Sequence, residues 1–287
     1  MTSRLPVAAL CIAALAVLAG CSTTDSRPTA SASATSAASS PSASTTEPPS
    51  LTSRQVIVLP AAVYKAVVHG LLTAPADISD VTAYTLRKDA PLYGADRSTP
   101  IARLPMLDFL AEPTVVDVVR TDGPWALALT PARSILPSKA TATAPATAQT
   151  AAWLPTSYLQ EPRKLTGRVE ISVSARTLSI LTPGSAAQTF TVGVGTPETP
   201  TPTGVTGYLQ ARYTDADQDQ TDHRIQLTSL HATGADEPYG GHDGGLIGIH
   251  FQETSSGAVS HGCIRMDAAG VQAVDALPLG TLVTVVP

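Results

Sequence analysis

The sequence predicts a mainly β protein, and three features of its 287 residues point there. Short apolar runs suited to strands recur along the chain, separated by Gly-, Pro- and Asp-rich turns. Hydrophobic residues reach 43% against 14% charged, enough to bury cores rather than stay disordered by charge. Helical signals are confined to two short stretches. The length fits about two domains of 100–150 residues plus a tail. With 18 Lys and Arg against 23 Asp and Glu, the net charge is −5. Nucleic acid is therefore excluded as a leading partner: it needs a clustered basic surface, and 4% aromatics give no platform for stacking bases.

Residues 1–20 read as an export signal. Arg4 and the free amine precede a 12-residue apolar core, Val7 to Leu18. That core is short of the ~20 residues that span a bilayer. It ends in Leu18-Ala19-Gly20-Cys21, which resembles a bacterial lipobox. The resemblance implies a lipid on Cys21, cleavage before it, and a protein exported to the outer face of the cell membrane, facing the wall. Of the three cysteines, Cys11 would leave with the signal and Cys21 would carry lipid. Cys263 then has no partner for an internal disulfide.

Residues 21–52 form an expected disordered linker. Ser and Thr supply 16 of the 29 residues from 22 to 50, with no apolar periodicity to offset chain entropy. As a flexible tether it spans about 30 Å.

A small β-rich accessory domain is expected over residues 53–162. A short helix is expected over Val56 to Leu72, with His69-Gly70 near its end, followed by strands at 81–87, 100–104, 114–119, 125–129 and 151–155. Asp89-Ala90-Pro91, Gly94-Ala95-Asp96 and Asp122-Gly123 supply turn chemistry. The closing stretch Trp153-Leu154-Pro155-Thr156-Ser157-Tyr158-Leu159 is similar to the last strand and turn of bacterial SH3-like barrels. Residues 137–150 read as a disordered insertion.

The second domain, residues 163–287, is again strand-rich. Strands are expected at 168–174, 177–181, 188–194, 246–250 and 282–286. One helix over 267–276 has Asp267 as its N-cap and Leu277-Pro278 as its stop. Five of the six histidines (His223, His231, His242, His250, His261) fall within 39 residues, and Cys263 follows. A nucleophilic thiol needs a base or cation nearby and N–H donors for the oxyanion that forms on attack. Ser260-His261-Gly262-Cys263 offers such a turn, with the amides of Gly262 and Cys263 as candidate donors.

Ile247-Gly248-Ile249-His250 followed by Ser260-His261-Gly262-Cys263-Ile264-Arg265-Met266 resembles the active-site motif of YkuD-type L,D-transpeptidases. Thr199-Pro200-Thr201-Pro202-Thr203-Gly204 and Gly280-Thr281-Leu282-Val283 extend the resemblance over roughly residues 165–287. It implies a β-rich catalytic domain with one short helix after the nucleophile. It also implies Cys263 as nucleophile, His250 as base oriented by the carbonyl of Phe251, and Ser260, His261 and Gly262 shaping the turn. Arg265 is the implied substrate contact, with Phe251 beside the base as another candidate. Tyr239, ahead of the motif strand, reads either as part of a lid over the substrate or as a plain turn residue. The reaction would be a cysteine-dependent acyl transfer on tetrapeptide stems of peptidoglycan, giving 3→3 cross-links through a thioester. Carbapenems would acylate the same cysteine, and no cofactor or metal is implied. Two departures from the family pattern stand out. Phe251 occupies a common Gly position, and only ten residues separate His250 from His261. Either would widen the His–Cys distance.

Other readings stay open. A wall-binding lipoprotein with a silent catalytic domain fits the shortened loop, and water as acceptor would make an L,D-carboxypeptidase. His242, His250, His261 and Cys263 are possible zinc ligands, but the short paired spacings of structural zinc sites are missing. His242 in Gly240-Gly241-His242-Asp243-Gly244-Gly245 is the fallback base, although its Gly-rich surroundings favour a plain loop residue. Asp215 to Asp222 alternates carboxylates like half a calcium loop, yet Gln220 and Gln226 replace its Gly and Glu, which favours a solvated turn.

Overall fold

The computed structural model describes residues 47–235, 239–240 and 243–287. The expected signal, Cys21, most of the linker and His242 lie outside the described residues.

Two β-sheets make up the fold. The first has β1 (Leu72–Thr73), β2 (Thr82–Leu86), β3 (Ala90–Tyr93), β4 (Pro100–Leu104), β5 (Val116–Asp122), β6 (Trp125–Thr130), β7 (Thr150–Pro155) and β8 (Leu159–Lys164). Its order is β4-β3-β7-β6-β5-β2-β8, with β1 on β7 and every pairing antiparallel. The second has β9 (Arg168–Ser172), β10 (Thr177–Leu181), β11 (Gln188–Thr191), β12 (Gly193–Gly195) and β13 (Val205–Asp215). It continues with β14 (Gln220–His231), β15 (Leu246–Phe251), β16 (Gly257–Ser260), β17 (Ile264–Met266) and β18 (Leu282–Val286). Its order is β11-β10-β9-β18-β13-β14-β15-β17-β12-β16. The chain is thus mainly β, with two short α-helices among the described residues: α1 (Ser53–Ile57) and α2 (Ala268–Asp275).

The later helix starts as its sequence predicts, with the Asp267 carboxylate accepting from the Gly270 N–H at 2.8 Å. Its Val271 and Val274 pack into the second core beside Ile249, Ile264 and Met266. The early helix differs from expectation. Thr52 and Gln55 form a capping box that starts α1 before Val56, and the helix ends at Ile57 rather than running to Leu72. Pro60 explains the stop: it lacks an N–H and disfavours helical backbone before it. Downstream, Ala61 and Val67 make isolated parallel bridges to Arg103 and Arg133 instead.

Residues 137–150 are not a disordered insertion. Pro137–Lys139 form a 3-10 turn, Thr141 bridges Ala144, and Gln149 and Thr150 are buried. The Ser138 N–H and hydroxyl donate to Asp243, ahead of β15, at 2.7 and 2.8 Å, which ties the segment down. Ala90 and Pro91 lie in a strand rather than a turn. β3 meets β7 at the single pair Tyr93↔Trp153, so Pro91 interrupts no continuous ladder on that side.

Both sheets lie within one compact unit, and a buried cluster separate from the two sheet cores forms the seam between them. Tyr208 of β13 is buried among Tyr93, Trp125, Leu127, Leu129, Ala151 and Trp153. Tyr93 and Trp125 meet edge-on at 5.0 Å. Gly280 turns at the same seam with φ +90°, where a Cβ would lie 2.9 Å from Asp117 Oδ1 and 3.0 Å from Ala83. Asp117 is fully buried there, and neither carboxyl oxygen has a hydrogen-bond partner.

Candidate active site

The hairpin β13–β14, together with β15, β17 and β12, aligns one row of residues across the second sheet. Tyr213 pairs with Ile225, and the register Gln226↔Ile249 puts Ile225 beside His250 one step further on. His250 then pairs with Arg265, and Arg265 with Gly193. Residues in one such row project from the same face, and neighbouring strands lie about 4.8 Å apart. Cys263, two positions before Arg265, shares that face. The pattern therefore brings His250, Cys263 and Arg265 together.

His250 is partly buried. Its Nδ1 lies 2.9 Å from the Phe251 carbonyl oxygen. A carbonyl only accepts, so Nδ1 carries the proton and Nε2 keeps a free lone pair. Burial pushes the imidazole pKa down, opposed by the Phe251 carbonyl and reinforced by the Arg265 charge, so the ring is neutral at neutral pH. The Phe251 carbonyl also accepts from Gln220 Nε2 at 3.0 Å, which fixes the oxygen that fixes the imidazole. The Phe251 ring lies against His223, centroids 4.7 Å apart, so it holds the strand end as well as flanking the site.

The thiol of Cys263 is part-exposed and sits against β15. The Gly248 N–H donates to Sγ at 3.5 Å, and Sγ lies 3.7 Å from the Leu246 carbonyl oxygen. Burial raises its pKa, against the pull of the Gly248 N–H and the Arg265 charge. The resting group is thus a thiol rather than a thiolate. Among the described residues, His250 and Cys263 make no hydrogen bond to each other.

The turn that carries the cysteine is pinned by three hydroxyls. Thr199 Oγ1 donates to the Ser260 carbonyl at 3.0 Å, and Thr201 Oγ1 to the Gly262 carbonyl at 2.8 Å. Ser260 Oγ donates to the Cys263 carbonyl at 2.5 Å. Thr201 Oγ1 also accepts from the Gly195 N–H at 2.9 Å. The approach is so close that a Cβ on Gly195 would lie 2.3 Å from the Thr199 carbonyl oxygen. Gly262 adopts φ +103°, a conformation other residues rarely take. The Gly262 N–H donates to Ser260 Oγ at 3.1 Å, which corrects the expectation that it faces a substrate oxyanion. Internal bonding uses that amide and leaves the Cys263 N–H, unpaired among the described residues, as the candidate donor.

The remaining expected contacts separate. The Arg265 guanidinium makes no hydrogen bond or ion pair among the described residues, and its Nε is buried without a partner. Tyr239 lies between Gly234 and Gly244, where added Cβ atoms would come within 2.7 and 2.5 Å of its ring, and its Oη is buried and unpartnered. Burial raises its pKa, and the nearby Cys263 adds to that. His261 is exposed at the turn, and its side chain does not take part in the row. No group of three or more His, Cys, Asp or Glu side chains among the described residues is arranged to hold a metal.

Sequence reasoning missed Thr199 and Thr201 as supports of the turn, Gln220 as a holder of Phe251, and Tyr213 at the end of the row. The Thr-Pro run was visible as part of the family resemblance, but its hydrogen-bond partners lie 61 residues downstream.

Residues 166–285 match the profile of the YkuD family, the L,D-transpeptidase catalytic domain. No curated protein matches the chain. Solved structures of L,D-transpeptidases are similar over part of it. That of L,D-transpeptidase 1 from Mycobacterium tuberculosis is 18% identical, covering 48% of this chain and 78% of that one, with a TM-score of 0.31. One from Stackebrandtia nassauensis is 17% identical, covering 45% and 58%, with a TM-score of 0.32. One from Mycobacterium smegmatis is 14% identical, covering 61% and 91%, with a TM-score of 0.33. The chain thus spans under two thirds of the Stackebrandtia protein's length.

Proposed function

We propose that this chain is an exported peptidoglycan L,D-transpeptidase that forms 3→3 cross-links through a thioester on Cys263. The observation that carries the reading is the tautomer of His250. Its Nδ1–H is held by Phe251, leaving Nε2 as a proton acceptor on the face that bears Cys263 and the unpaired Arg265. The family match over residues 166–285 supports the same chemistry.

In this reading the terminal carboxylate of a tetrapeptide stem binds Arg265. Substrate entry brings Nε2 and Sγ into reach, and the imidazole takes the thiol proton as sulfur attacks the L,D peptide carbonyl. The Cys263 N–H stabilises the oxyanion. Collapse breaks the C–N bond, the imidazolium returns its proton to the departing D-Ala amine, and a thioester remains. The side-chain amine of diaminopimelate on a neighbouring stem then attacks the thioester, giving the cross-link and restoring the thiol. Water in place of that amine gives the carboxypeptidase reading. The lipid anchor on Cys21 and the tether belong to this proposal, since they would hold the domain at wall distance. A silent wall-binding lipoprotein is the second reading, and the raised thiol pKa with no His250–Cys263 hydrogen bond favours it.

Intact mass spectrometry of the full chain with a carbapenem, beside Cys263→Ala, separates the two. The transpeptidase reading expects a covalent adduct of one inhibitor on the parent and none on the variant. A folded parent that takes no adduct overturns it in favour of the binding lipoprotein.

A further inference from the structure

The end of the row opposite Arg265 is held from outside its own sheet. Tyr213 meets Phe109 of the first domain edge-on, centroids 5.7 Å apart, and Phe109 packs on Tyr64 at 4.7 Å. Phe109 lies in the connection between β4 and β5, which is closed on itself. Asp108 Oδ1 accepts from the N–H groups of Leu110 (2.8 Å) and Glu112 (3.0 Å). The Asp108 N–H donates to the Glu112 carbonyl at 2.8 Å, and the Thr114 N–H to Met106 at 2.9 Å. The loop therefore presents its apolar side chains in a fixed arrangement, with Phe109 still 41% exposed. Tyr64 is anchored in turn. Its carbonyl oxygen lies 3.0 Å from Nε2 of buried His231, whose pKa burial lowers to about 4, so a neutral ring donates there. Between this loop and Tyr208 and Gln210 of β13 remains a cavity of only about 30 Å³, so the loop is seated on the strand that bears Tyr213.

We infer that the first domain completes the acyl-transfer site: Tyr213, braced by Phe109 and Tyr64, is the wall along which the acyl side of the donor stem peptide lies. The inference rests on the reading of Cys263 as nucleophile. Arg265 is the cation of the row, and it draws the donor's terminal carboxylate, which belongs to the leaving D-Ala. With that end fixed and the scissile carbonyl at Cys263, the rest of the donor runs the opposite way along the row. Tyr213 stands two strand spacings from His250, about 10 Å, or roughly three extended residues. Tyr213 and Tyr64 are half-buried and Phe109 is exposed, which leaves apolar ring surface to meet the methylene groups of the stem on that side. The electrostatics agree with the placement, since Cys263 is among the groups that, after burial, raise the Tyr213 pKa.

The test is steady-state kinetics on a disaccharide-tetrapeptide donor, beside the acylation rate with a small carbapenem that does not extend along the acyl side. Phe109→Ala in the full chain is expected to raise KM for the donor about tenfold and leave carbapenem acylation within about twofold. Phe109→Tyr, which keeps the ring, restores KM. Donor KM unchanged in Phe109→Ala overturns the wall alone, as does a parallel fall in carbapenem acylation, which would mark a structural role. A parent chain that takes no carbapenem overturns the nucleophile reading itself, and the wall with it.

Discussion

The nucleophile turn and the seam between the sheets treat buried polar groups in opposite ways. At the turn, Thr199, Thr201 and Ser260 are buried, and each hydroxyl donates to a backbone carbonyl. At the seam, Asp117 is fully buried with both oxygens unpartnered. A satisfied neutral hydroxyl adds rigidity at little electrostatic cost, whereas an unpartnered carboxyl stays in place only by remaining protonated. Substitutions at the turn should therefore act on activity, and substitution at the seam on stability.

The largest effect is expected at the base. His250→Ala should slow Cys263 acylation by about 10²–10⁴-fold, the usual contribution of a positioned proton acceptor. The pH profile sharpens the assignment. Burial lowers the His250 pKa and raises that of Cys263, so the parent rate should rise on an acid limb below the ordinary histidine value and then hold. In His250→Ala the acid limb should vanish, leaving a rate that climbs with thiolate towards alkaline pH. Rapid-quench mass spectrometry from pH 4 to 10 reads both. A variant that keeps the acid limb would remove His250 from the role.

A smaller loss is expected from the support. Thr201→Val keeps shape but removes the bonds to Gly195 N–H and the Gly262 carbonyl, stranding two backbone groups at about 1–3 kcal/mol. We expect acylation to slow about tenfold while the far-ultraviolet spectrum stays native, with Thr201→Ser restoring the rate. Equal rates in Thr201→Val and the parent would show that the turn holds its shape without this clamp.

The same contrast explains what was legible in the sequence. β4, β10 and β18 were read with their observed bounds because apolar runs between turn residues announce them. The β13–β14 hairpin was missed although it has the longest strands. Gln226, Thr228, Ser229 and His231 are buried there, and their polar letters disguise a core strand. Each is satisfied by a partner that local sequence does not reveal, such as Gln149 for Ser229 or Tyr64 for His231. His250, Cys263 and Arg265 were legible because they fall in two short segments close together in the chain, residues 247–250 and 260–266. Tyr213 was not, because its place in the row depends on the register of four strands.

The smallest effect is expected at the seam, where Asp117→Asn should stabilise the protein in a pH-dependent way. Burial raises the Asp117 pKa well above the ordinary carboxylate range, with Arg163 pulling it back only in part. The folded state therefore holds a proton that the unfolded state releases above about pH 4, and stability falls as pH rises from there through the raised pKa. Asn cannot ionise, so its advantage should be near zero at pH 4 and widen towards pH 8. Each kcal/mol gained would appear as a Tm increase of roughly 2–4 °C for a domain of this size. Thermal unfolding of the full chain and the variant across that range measures it. A difference that does not grow with pH would mean that Asp117 finds a partner in solution and that the seam is as well satisfied as the turn.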